Sequence, residues 1–87
     1  MIKGKLENGF EFSIDEDVFD DMELVDDLRA SQGKDPSRIS DVVDKILGES
    51  KYQLYDLIRN KKGKVPLEKV ADAIGEIMEK SGEQGKN

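Results

Sequence analysis

Residues 39–60 read ISDVVDKILGESKYQLYDLIRN. Two apolar patterns meet at Gly48. In the first, Ile39, Val42, Val43, Ile46 and Leu47 recur at helical spacing and cover roughly 140° of a helix surface. In the second, Tyr52, Leu54, Tyr55, Leu57 and Ile58 cover roughly 220° by the same count. Gly48 between them suits a left-handed helix cap. The broader arc makes the second of these helices, about 49–60, the expected centre around which the other elements pack. Asp35-Pro36 opens the first of them, with an acid to cap and proline at the first helical position.

Working outward toward the N-terminus, Ile2, Gly4 and Leu6 alternate with Lys3 and Lys5, and Phe10, Phe12 and Ile14 alternate with Glu11 and Ser13. This period of two predicts a β-hairpin with one apolar face. Asn8-Gly9 between the runs predicts a tight turn with two positive φ angles. The lysines and Glu11 can pair across the outer face. An isolated hairpin is marginal in water, so this one must lie on the helices or join another sheet. The next stretch, 15–27, holds eight carboxylates and no base. Asp20 with Glu23 three residues on predicts a helix start there, stapled by Val18 and Phe19. Met22, Val25 and Leu28 fall on one face of that helix with Leu24 beside them, and Ser31-Gln32-Gly33-Lys34 stops it.

Toward the C-terminus, 60–64 (NKKGK) is a loop and Val65-Pro66 opens a last helix. Leu67, Val70, Ala71, Ile74, Ile77 and Met78 form its stripe, spanning roughly 120°. Gly82 is the expected stop. The domain expectation is therefore a single globular unit over 1–82 with a flexible tail over 83–87. The fold expectation is α+β, mostly α: an N-terminal β-hairpin packed on a cluster of four short helices.

Composition narrows the chemistry. The 87 residues contain no cysteine and no histidine. That removes disulfides, thiolate metal sites, the commonest general base and the usual pH switch. No apolar run reaches the ~18 residues that span a bilayer, and no signal peptide is visible. A cytoplasmic location without membrane attachment is expected. The net charge of −6 is uneven: residues 1–30 carry ten acids against three bases, and residues 31–87 ten against eleven. The acidic half argues against general nucleic-acid binding.

Candidate sites are few. Asp15, Glu16, Asp17, Asp20 and Asp21 could bind Ca²⁺, but no glycine occurs between Gly9 and Gly33 and the spacing does not fit an EF-hand loop, so capping and a solvated face are expected. The same carboxylates lack a nucleophile motif to serve, and no enzyme is expected. An acyl carrier protein is excluded because no Asp-Ser-Leu attachment site is present. The basic loop with Arg59, Lys61, Lys62 and Lys64 has no interleaved aromatics and reads as a solvated loop balancing helix C-termini. Tyr52 and Tyr55 fit either core packing or an interface. No metal or cofactor is expected.

The order of these pieces resembles the tail assembly chaperone family of long-tailed bacteriophages. The resemblance lies in Phe10-Glu11-Phe12-Ser13-Ile14-Asp15-Glu16, Asp20-Asp21-Met22-Glu23-Leu24, residues 42–53 (VVDKILGESKYQ) and Gly63-Lys64-Val65-Pro66. Gly48, Glu49 and Tyr52, in a Gly-Glu-x-x-Tyr pattern, form its most recognisable part. The likeness covers nearly the whole chain, through structural motifs. Met22 stands where a large aromatic is expected, and 31–37 is more polar than usual. The resemblance implies a non-catalytic protein of the bacterial host cytoplasm, absent from the mature virion. It would bind the tape measure protein and help tail tube protein polymerise around it. It also implies a longer frameshifted form; Gly85-Lys86-Asn87 can be encoded by GGA-AAA-AAC, which contains the slippery heptamer A-AAA-AAC. A holdase for apolar helices needs an apolar groove on a charged exterior. That groove is expected at Leu54, Tyr55 and Leu57 of the third helix and Leu24 and Leu28 of the first, with self-association as a competitor. The reading from another class is an acidic regulator or nucleic-acid mimic that covers a basic protein surface with 15–27.

Overall fold

The computed structural model describes residues 1–84. Its element order is β1 (Ile2–Lys5), β2 (Glu11–Ile14), α1 (Met22–Ser31), α2 (Ile39–Leu47), α3 (Lys51–Ile58) and α4 (Leu67–Gln84). Short 3₁₀ turns at Glu16–Phe19, Pro36–Arg38 and Gly48–Ser50 lead into or join the helices. The fold is α+β and mostly helical, a two-stranded antiparallel hairpin on a helical cluster.

The hairpin pairs Ile2 with Ile14, Lys3 with Ser13, Gly4 with Phe12 and Lys5 with Glu11. That register places the apolar residues of both strands on one face, and Leu6, Phe10, Phe12 and Ile14 are buried. The turn differs from expectation. Three residues, Glu7 to Gly9, connect Leu6 and Phe10, whose N–H and C=O bond at 2.8 Å. Gly9 donates to Leu6 O at 2.9 Å and alone carries positive φ, at 95°. Asn-Gly serves this longer turn as well as the two-residue one, because Asn8 Oδ1 accepts from Phe10 N at 2.9 Å and holds the turn. Glu7 N also donates to Glu76 Oε2 at 3.0 Å, which ties the turn to α4.

Helix α2, rather than α3, is the hub. All five members of its stripe are buried, with Val42 and Val43 fully so. It packs against α1, α3, α4 and β2. In α3 only Leu54 is buried. A wide apolar arc reports how many large side chains a short helix carries, not how many neighbours it has. Eight residues of α3 offer one seat to the core, and Tyr52 and Leu57 remain 60% and 50% exposed.

The joint between α2 and α3 depends on Gly48, which has φ 56° and ψ −135°. This is positive φ away from the ordinary left-handed helical well, a region that side chains with a Cβ rarely adopt. Gly48→Ala should cost about 1–3 kcal/mol although space for the methyl group is open. Chemical denaturation of the variant checks this, and a change below about 0.5 kcal/mol would remove the strain argument.

Helix α1 begins one residue later than expected. Asp21, not Asp20, is the N-cap and accepts from Glu23 N at 3.0 Å; Asp20 closes the preceding 3₁₀ turn. Its buried face runs through Leu24 and Asp27 with Leu28 and Ser31 half-buried, while Met22 and Val25 face outward. Helix α4 passes through Gly82 to Gln84, so glycine does not stop it there. Its buried stripe is Val70, Ala73, Ile74, Ile77 and Ser81. Leu67 and Ala71, expected in that stripe, are exposed. Of the tail expected over 83–87, residues 85–87 lie outside the described residues, as does the Gly85-Lys86-Asn87 frameshift signal.

Candidate functional site: an apolar groove between α1 and α4

Helix α1 packs on α2 and the turn before it, whereas α4 packs on β1, α2 and α3. The two helices therefore flank the core, each packed chiefly on other elements. Between them lie two depressions that share Leu28 and Met78. The larger, about 630 Å³, is lined by Ile2, Phe19, Leu24, Val25 and Leu28 and, on α4, by Met78, Ser81 and Gly82. The smaller, about 190 Å³, runs past Ile39 to Leu67, Ala71 and Gly75. Adjoining at Leu28 and Met78, the two make up an apolar groove of two compartments along α4. Its length from Glu68 to Gly82 is about 21 Å at 1.5 Å per helical residue.

The five expected partner-binding residues separate. Leu24 and Leu54 are core residues, 1% and 0% exposed. Leu28 is half-buried and lines both depressions. Tyr55 is half-buried and Leu57 exposed, and neither α3 residue lines the groove. Tyr52 and Tyr55 meet edge to face with centroids 6.1 Å apart, and Lys51 Nζ lies 5.3 Å from the Tyr52 ring centroid. The two tyrosines thus form a half-exposed cluster on α3, separate from the groove lining. Leu57→Lys should change stability by less than about 0.5 kcal/mol. A denaturation midpoint clearly below that of the parent would place Leu57 in the core instead.

Beside the groove, α1 carries a polar clip that the acidic run conceals. Asp27 is 3% exposed. Its Oδ1 accepts from Arg38 Nε at 3.1 Å and from Arg38 Nη2, and its Oδ2 accepts from Lys45 Nζ at 2.7 Å. These hydrogen bonds, Lys45's foremost, hold the Asp27 carboxyl below the usual carboxylate range; desolvation opposes them and loses. The same contacts raise Lys45 and Arg38 above their ordinary values. The clip fastens α1 to α2 and the 3₁₀ turn ahead of it, which fixes one wall of the groove. Helical spacing contains the signal: Asp27 falls with Leu24, Leu28 and Ser31 on one face.

The other acids of 15–27, namely Asp15, Glu16, Asp17, Asp20, Asp21, Glu23 and Asp26, are exposed. Among the described residues, no group of three or more acids is placed to hold a metal ion. No described helix is long and apolar enough to cross a membrane. In the basic loop, Asn60 Oδ1 accepts from Lys62 N at 2.9 Å and Lys64 N at 3.0 Å, and Arg59 donates to Gly63 O at 2.9 Å. Loop order thus comes from Asn60 and Arg59. Compared with known proteins, the chain matches no family model, no curated protein and no solved structure.

Proposed function

We propose that this chain is a non-catalytic tail assembly chaperone of a long-tailed bacteriophage, acting in the host cytoplasm. It binds the tape measure protein, assists tail tube assembly and does not stay in the virion. The observation that carries the reading is the open apolar groove between α1 and α4 on a chain that is 39% charged. An aggregation-prone helical client needs such a surface, and the charged exterior keeps the complex soluble. The resemblance in 10–16, 20–24, 42–53 and 63–66 supports the choice of client. The binding surface moves from the α3 residues to Val25, Leu28 and Met78, with Leu24 as floor. The longer frameshifted form belongs to the same proposal.

Co-expression with the tape measure protein of the same phage tests it. The client should stay in the supernatant with the parent chain and pellet with Val25→Glu or Leu28→Lys. A client equally soluble with either variant and with the parent would remove the groove from the mechanism. Capture of a basic protein that is lost as salt rises would favour the acidic regulator, since exposed charges are screened.

A further inference from the structure

The groove has features that specify its occupant beyond being apolar. Among the described residues, the charged side chains in its lining are Glu16 at the Gly82 end and Glu68 at the Leu67 end, and the one cation there is the Met1 amine. Glu16 accepts from the Met1 amine at 3.4 Å and stays 78% exposed. The α4 wall is made of Ala71, Gly75, Met78 and Gly82, and a Cβ added at Gly75 or Gly82 would meet nothing within 4 Å. A helix laid there can approach the α4 backbone closely. Ser81, in the lining and 5% exposed, has an enclosed Oγ that finds no hydrogen-bond partner among the described residues.

We propose that the groove takes an amphipathic helix of about four turns, apolar along one face and carrying lysine or arginine near both ends. The apolar stripe covers Leu28 and Met78, and the terminal cations face Glu16 and Glu68. The small residues of α4 set how near the helix lies. This inference rests on the chaperone reading for its client but concerns only what the groove selects.

The test uses the full chain and three synthetic peptides of about 14 residues with one apolar face, differing only in Lys, Gln or Glu at the two ends. Anisotropy gives affinities, and backbone amide shifts locate the site. The Lys-ended peptide should bind about fivefold or more tighter than the Gln-ended one at low salt, and the preference should shrink as salt rises. The double variant Glu16→Gln, Glu68→Gln should abolish the preference. Gly75→Ala should raise Tm by a few degrees, because alanine is the better helix former, and yet weaken binding by narrowing the approach to α4. Gly75→Leu should remove binding without unfolding the chain.

Equal binding of all three peptides, shifts centred on Tyr52 and Leu57, or no binding at all would each overturn the inference. Equal binding in the groove would leave the chaperone reading intact. A Lys-preferring groove on a chain that never captures tape measure protein would instead remove the chaperone reading and keep the inference.

Discussion

Asp27→Asn should lower Tm by on the order of 10 °C at neutral pH. The substitution is nearly isosteric but removes the only charge in the clip that is fully withdrawn from water. Arg38 and Lys45 keep 40% and 36% of their side-chain surface exposed, so the carboxylate is the member that depends on its partners. In the variant, the amide keeps one acceptor oxygen but carries no charge and turns an NH₂ toward one of the cations; Arg38 retains Asp41 Oδ2 at 3.3 Å, so the loss falls mainly on Lys45 at the packed joint between α1 and α2. Breaking one side of such a cluster is costly, whereas replacing the whole of it with apolar groups need not be. Asp27→Leu combined with Arg38→Met and Lys45→Met should therefore recover much of what Asp27→Asn loses.

The pH dependence follows from the same contacts. Asp27 titrates lower in the native state than its ordinary value of 3.8. Its contribution is complete above the ordinary carboxylate range and is lost as pH falls through the depressed native value. Melting curves of the parent and of Asp27→Asn should converge on acidification. Lys45 is raised above 10.5. Its part is complete below that value and is lost as pH climbs past the raised one. Curves that stay parallel from pH 7 to pH 3 would show that the clip does not stabilise the native state through charge.

Gly4→Val should destabilise the chain by about 3 kcal/mol, at the upper end of the overpacking range. Gly4 lies opposite Phe12 across the hairpin. A Cβ at Gly4 would sit 2.6 Å from Phe12 Cζ and 2.7 Å from Cε1. The Phe12 ring covers the glycine and is itself 4% exposed, so it has no free space to enter without leaving the core. Glycine here answers to close approach rather than to backbone freedom. Gly4→Ala tests the cause through a double-mutant cycle with Phe12→Leu. If the clash is with the ring, the pair should cost less than the sum of the single changes. Additive costs would point to lost strand propensity instead.

Much of the fold is legible in the sequence because its periods are strong. The alternation around Phe10, Phe12 and Ile14 and the stripe from Ile39 to Leu47 both bury as their spacing requires. The failures have physical reasons. Asn8-Gly9 is compatible with two loop lengths, and the choice depends on where Asn8 directs its side-chain oxygen. Asp27 is hidden by seven exposed acids around it, since composition does not say which member of an acidic run points inward. The α3 arc misleads because its width does not say how many neighbours the helix has. The groove is the least legible feature: it arises from α1 and α4 leaving a gap, which neither helix encodes alone. Its trace in the sequence is Ala71, Gly75 and Gly82 beside Met78, and Gly82 is easily taken for a helix stop.

The most direct measurement is a pull-down with N-terminally tagged protein, expressed from its native gene and downstream DNA in the producing phage or lysogen and read by mass spectrometry. The proposal predicts recovery of the tape measure protein, retained at high salt, lost with Leu28→Lys, and accompanied by a longer form of the bait. Recovery of only a basic host enzyme or repressor, released as salt rises and unaffected by Leu28→Lys, would contradict it.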